Sequence, residues 1–312
     1  MSERHYEKFI HEFKITFTPI ATPNHKPIAQ LVRAFEAHGD TLSNMIILPG
    51  IIAATGLRSV QRANKVAELF IGNIKRITTG RMSAEDVQAE LQRWDAEYLE
   101  KIKPESEKVK EIVDYLNGFE EQSFKQAISA LLSSVVVFSW TGFECLCTDT
   151  WVEAVNSRPS ALARSAASSA DKDSNDAAEY GRPSGKSVPF ELIAKNSFDL
   201  RGCMGEILKA KFEFTSVRKI KKAYVAAFGK LPEFDAIFDD PEVVKLQAIR
   251  NLIVHRAGLV DEAFNSRMNL ALPVGSQYEF IGQDAGQYVS ASIRRGLQLV
   301  KFVDDYLTAH PA

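Results

Sequence analysis

Between Leu131 and Trp140 the chain reads Leu-Leu-Ser-Ser-Val-Val-Val-Phe-Ser-Trp, and no proline interrupts it from Glu120 to Asn156. The pattern predicts one long helix over 120–156 whose middle is apolar on nearly every side. Such a helix is buried from several directions, so other elements must pack around it. The same stretch, Ala130 to Cys147, is the best membrane candidate. It carries Ser133, Ser134, Ser139, Thr141 and Glu144, whereas a span needs about 20 mostly apolar residues. A central core helix is therefore expected, with no membrane partner.

The surrounding patterns are mostly helical. Pro27 to Ala37 places Ile28, Leu31, Val32 and Phe35 on one face, and Val60 to Arg76 does the same with Val66, Leu69, Phe70 and Ile74. Pro49-Gly50 is expected to break the apolar run between them. Ser83 caps a helix running to about Ile102, and Pro104 opens another that Gly118 ends. Further helices are expected at about 190–195, 200–212, 217–228 and 285–308. Asp240 as N-cap and Pro241 at the first helical position open the best-punctuated one. Its core face is Val243, Leu246, Ile249, Ile253 and Ala257, and Gly258 stops it.

Two features depart from helix. Phe13, Ile15 and Phe17 alternate with polar residues, as a strand would. Residues 267–272 and 277–281 are expected to pair as a small β-hairpin around Gly275-Ser276. Residues 157–187 are 15 Ser or Ala out of 31 and are read as a flexible insert. The expectation is an all-α chain in two parts. Residues 1–120 form a mainly helical region without an assigned role, and 121–312 form an up-and-down helical domain.

Lys plus Arg is 38 against 40 Asp plus Glu, a net charge of −2. Any affinity for nucleic acid must then come from a local patch. Eight basic residues against Glu206 and Glu213 between Arg201 and Lys230 make such a patch. Arg218, Lys219, Lys221 and Lys222 are its densest part and are candidates for phosphate contact. Pairing with the acidic stretch 233–262 is the competing use. Cys145, Cys147 and Cys203 fit neither a redox nor a zinc spacing, which reads as reduced thiols. A charged N-terminus with no apolar run behind it adds to the expectation of a cytoplasmic protein.

Gly181-Arg-Pro-Ser-Gly185-Lys186-Ser187 approaches a P-loop but is one residue short between its glycines. No HExxH, GxSxG or GxGxxG occurs. The informative segment is Arg250-Asn251-Leu252-Ile253-Val254-His255-Arg256-Ala257-Gly258. Arg4/His11 and Arg33/His38 share its Arg-to-His spacing. Only Arg250/His255 also has Asn after Arg, an apolar spacer, a capped helix and a following Gly.

This segment resembles the signature of the HEPN family (higher eukaryotes and prokaryotes nucleotide-binding), from about Gln122 to the C-terminus. The resemblance implies a HEPN-like helical bundle, a homodimer, and metal-independent endoribonuclease activity without a cofactor. It further implies a toxin or phage-defence role, with an antitoxin or regulatory partner. Arg250, Asn251 and His255 would be catalytic. Arg256 and Glu144 would join the four basic residues at the substrate. The alternative is a HEPN module that binds RNA or nucleotide, or dimerises, without catalysis.

Helix geometry adds a constraint. Asn251 and His255, four apart, share a face. Arg250 and His255 lie about 140° apart around the axis and roughly 7.5 Å along it. That spread predicts a composite site between two copies. Imidazole suits proton transfer near neutrality, and guanidinium suits charge growing on phosphoryl oxygens. The competing reading pairs Arg250 with an acid on a neighbouring helix and leaves His255 as a helix-ending cation.

Overall fold

The computed structural model describes residues 22–101, 122–174, 190–195, 200, 202–279 and 282–311. Phe13 to Phe17, Pro104 to Gly118 and Gly181 to Ser187 lie outside them. The described residues form helices and no strand, an all-α fold. In chain order these are α1 (Lys26–Thr78), α2 (Ala84–Lys101), α3 (Gln122–Ser157), a π-helical turn (Pro159–Ala163) and α4 (Arg164–Ser174). Then come α5 (Phe190–Lys195), α6 (Met204–Lys209), α7 (Val217–Phe228), α8 (Pro232–Phe238), α9 (Pro241–Arg256), α10 (Glu262–Met268) and α11 (Gly282–Ala309).

The chain divides into two units. Among the described residues, one takes in 44–101, 122–131 and 282–283, and the other 22–43, 132–279 and 284–311. In the first, Leu69, Val87 and Leu91 are buried, and Arg62 Nε pairs with Asp95 at 3.1 Å. Ser83 caps α2 reciprocally with Asp86: the Asp86 amide donates to Ser83 Oγ at 3.1 Å and the Ser83 amide to Asp86 Oδ2 at 2.7 Å. Hydrogen bonds from the Ser83 amide and the Ser83 hydroxyl hold the Asp86 carboxyl below its usual range.

The second unit carries the larger core. The α3 residues Val135, Val136, Trp140, Phe143, Cys147 and Trp151 are fully buried in it. Length and composition alone would let α3 cross a membrane; part of its apolar surface goes into this packing, while Phe138 is exposed. Tyr224 of α7 donates to the Cys147 carbonyl at 2.7 Å, and Trp151 Nε1 donates to the Ala223 carbonyl at 2.9 Å. Each bond satisfies a buried polar tip on an aromatic body. Tyr224, Phe228, Phe234, Phe238, Phe302 and Tyr306 continue the packing through tilted and edge-on contacts that join α7, α8 and α11. Truncating any fully buried member to alanine costs about 3–5 kcal/mol.

Glycine allows two close approaches here. A Cβ at Gly142 would meet the His38 ring at 2.4 Å, and one at Gly205 would meet the Val152 carbonyl oxygen at 2.2 Å. Asn156 Oδ1 accepts the Gly205 amide at 2.6 Å, so the end of α3 caps the start of α6.

Three expectations change. First, α1 runs 53 residues straight through Pro49-Gly50. Pro49 forgoes a single hydrogen bond, at a cost of about 3 kcal/mol in a helix interior, and the helical residues on both sides outweigh it. Second, the Ser/Ala-rich segment is ordered over Pro159–Ser174. Leu162, Ala163 and Ala166 are buried, and Ser165 Oγ donates to the Ala226 carbonyl at 2.8 Å. Its small residues permit close packing rather than mobility. Third, no hairpin forms among the described residues. Asp261 accepts the Phe264 amide at 2.7 Å and starts α10, leaving an isolated antiparallel bridge from Leu259 to Gln277.

Candidate active site at the end of α9

Helix α9 begins as its sequence dictates. Asp240 accepts the Glu242 amide at 2.8 Å, and Pro241 follows in the first turn. The cap is buried, and burial alone would raise its pKa. Hydrogen bonds from Arg295 and the Glu242 amide outweigh that and hold it below the usual carboxylate range. Arg295 Nε stands 2.7 Å from Asp240 Oδ2, tying the start of α9 to α11. In mid-helix, Gln247 accepts the Val217 amide at 3.1 Å and ties α9 to the start of α7. Val243, Leu246, Ala248, Ile249 and Leu252 are buried. Ile253 is half-buried and Ala257 exposed, so the core face ends one turn earlier than the periodicity suggests.

The other end is closed by backbone. Ala257 adopts the left-handed conformation at φ 52°, Gly258 follows at φ 82°, and the Gly258 amide returns to the Leu252 carbonyl at 3.1 Å. The Tyr278 amide donates to the Gly258 carbonyl at 2.9 Å, and the Val260 amide to Ser276 at 2.9 Å. The last turn of α9 is thus fixed against a self-bonded loop.

On that turn Arg250, Asn251 and His255 come together. Arg250 Nη1 donates to Asn251 Oδ1 at 3.1 Å and stands 3.4 Å from His255 Nε2. The axial and angular spread computed from helix geometry is crossed by the long arginine side chain, so a second copy is not needed to join these groups. Among the described residues, Arg250 makes no ion pair with an acid. A guanidinium has donors and no acceptor, so a hydrogen bond between these groups runs from Arg250 Nη1 to His255 Nε2. Arg250 Nε is buried without a partner, a state that costs about 1–3 kcal/mol. His255 itself is exposed. Val254 beside it is 48% exposed and Leu259 45%, an apolar margin next to the imidazole.

The remaining candidates have other engagements. Arg256 Nε pairs with Asp261 at 3.2 Å. Backbone and Arg256 hydrogen bonds keep the Asp261 carboxyl below its usual range. Glu144 Oε2 accepts the Trp140 indole N–H at 2.7 Å. Lys219 pairs with Glu213, and Lys221 with Asp235 and Asp239 at 2.7 and 2.6 Å. Part of the basic patch is thereby used on acids, including two from the acidic stretch. Arg218 and Lys222 are exposed. The sequence reading missed Asp261, whose signal was an acid ahead of Glu262 and Phe264 in a helix-start pattern.

Of the rival Arg/His pairs, Arg33 Nε bonds the Ala29 carbonyl and His38 Nε2 lies 3.0 Å from the Phe138 carbonyl. Both have structural employment, and Arg4/His11 lies outside the described residues. Among the described residues, no group of three or more His, Cys, Asp or Glu could hold a metal ion. No protein-family model, curated protein or solved structure matches the chain.

Proposed function

We propose that the chain is a HEPN-type endoribonuclease that cleaves RNA by metal-independent transesterification, with Arg250, Asn251 and His255 as its reacting group. One observation carries the reading: an exposed imidazole has its Nε2 3.4 Å from a guanidinium nitrogen, on a helix end closed by backbone hydrogen bonds. His255 takes the proton of a ribose 2′-hydroxyl as its oxygen attacks the adjacent phosphorus. The bond from phosphorus to the 5′-oxygen breaks, and that oxygen leaves with a proton from an imidazolium. A 2′,3′-cyclic phosphate and a 5′-hydroxyl result. Arg250 stabilises the charge gathering on the phosphoryl oxygens.

Pairing of two copies across the α9 end would cover Val254 and Leu259 and supply the second imidazole. On this reading the protein acts in the cytoplasm as a toxin or phage-defence effector held by an antitoxin or regulatory partner. Incubation of the purified protein with a labelled single-stranded RNA in EDTA is expected to give discrete cleavage. Intact RNA across a panel of sequences, at enzyme concentrations above the substrate, would leave the non-catalytic RNA-binding module as the better description.

A further inference from the structure

The contact between Arg250 and His255 joins the two groups in a way that is not itself productive. The nitrogen that must accept the 2′-hydroxyl proton already accepts an N–H from Arg250. Asn251 Oδ1 holds the same Nη1 in place from the other side. We propose that Arg250 masks His255 in the substrate-free chain, with Asn251 as the positioning residue that keeps it there, and that a phosphodiester opens the site by drawing the guanidinium away. The inference rests on the nuclease reading for its purpose, though not for its geometry.

The arrangement is poised to open. At 3.4 Å the Nη1 to Nε2 contact is near the outer limit for a hydrogen bond, so little is lost when it breaks. Arg250 Nε is buried with no partner, so part of the guanidinium's donor capacity goes unused in the masked form. A phosphodiester offers two non-bridging oxygens that match two parallel N–H groups of a guanidinium. Turning the side chain toward those oxygens exchanges two neutral acceptors, His255 Nε2 and Asn251 Oδ1, for two oxygens that share one negative charge, and gives Nε an acceptor. The same movement frees the Nε2 lone pair, and His255 is already exposed to receive a hydroxyl. Binding of the correct anion and activation of the base then become a single event, and water or a stray hydroxyl meets a base that is occupied.

The mask can be read without any cleavage assay. Diethylpyrocarbonate acylates unprotonated ring nitrogens, and the rate at His255 can be followed by peptide mass spectrometry with His310 as internal reference. Arg250→Met keeps the apolar stem and removes every donor. It is expected to raise the His255 rate about two-fold relative to His310, the ratio lost with a hydrogen bond at the weak end of the usual range. Asn251→Ala frees the guanidinium without deleting it and is expected to raise the rate by a smaller factor. Equal relative rates in wild type and Arg250→Met overturn the mask. A rise in Arg250→Met with none in Asn251→Ala overturns the positioning role of Asn251. A protein that cuts no RNA yet shows a protected His255 sinks the nuclease reading and leaves the mask standing; an active one with an unprotected His255 does the reverse.

Discussion

Gly205→Ala is expected to destabilise the protein by about 3 kcal/mol, seen as a fall in the urea midpoint with an unchanged slope. The new methyl would stand 2.2 Å from the Val152 carbonyl oxygen and 2.9 Å from the Val152 carbonyl carbon and Cα. All three are backbone atoms near the C-terminal end of α3, where Trp151 and Val155 are fully buried. Neither helix can retreat by a rotamer change. Moving α6 away would also stretch the Gly205 amide from Asn156 Oδ1. Gly296→Ala is the natural comparison. Its methyl would meet Leu146 Cδ2 at 2.9 Å and the Phe35 ring at 3.0 Å, side-chain atoms that can shift, so its loss is expected to be smaller. Equal midpoints for Gly205→Ala and wild type would show that α6 does not sit on α3 as described.

His255→Ala is expected to reduce RNA cleavage by about 10²–10⁴, the usual contribution of a positioned general base. Its effect on stability is expected to stay within about 1 kcal/mol, the scale for an exposed side chain in the last turn of a helix. The imidazole is exposed and its ring contact is the long one to Arg250. The pairing of a large kinetic loss with a little-changed melting curve separates a reacting group from a structural one. Loss of both together would mean that His255 holds the end of α9 rather than acting on substrate.

How much of this could be read from residues alone depended on the range of the interaction. Asp240-Pro241 and Ser83 announce helix starts within three residues, and both caps form as their side chains allow. The all-round apolar run of α3 signals burial because nothing else can cover such a surface in water. Tertiary contacts left no such trace. Asp304 accepts the amides of Asn24 and His25 at 2.9 and 3.0 Å and so anchors the start of α1; residues 279 or more apart show no pattern that joins them. Gly205 looks like a weak spot in a six-residue helix until Val152 is placed against it. Residues 159–174 look mobile by composition, yet the same small side chains let that segment pack closely.

At the candidate site, local signals located Arg250, Asn251 and His255 but misjudged their geometry. Angles around a helix axis describe Cβ directions, and the arginine side chain is long enough to cross the separation they imply. Arg256, Lys219 and Lys221 each found a carboxylate, which a count of charges along the chain cannot assign. Asp261 caps a helix over 262–268, ahead of the segment expected to form a hairpin around Gly275-Ser276, and its bond from the Phe264 amide is what starts that helix.

The end groups left on a cut RNA bear most directly on the proposed chemistry. One labelled RNA, and the same RNA carrying a single 2′-deoxy sugar on the 5′ side of the mapped scissile phosphate, would be incubated with wild-type protein in EDTA. The account predicts a 2′,3′-cyclic phosphate and a 5′-hydroxyl from the first and no cut at that position in the second. A 3′-hydroxyl with a 5′-phosphate, or equal cutting of the deoxy-substituted strand, would contradict it.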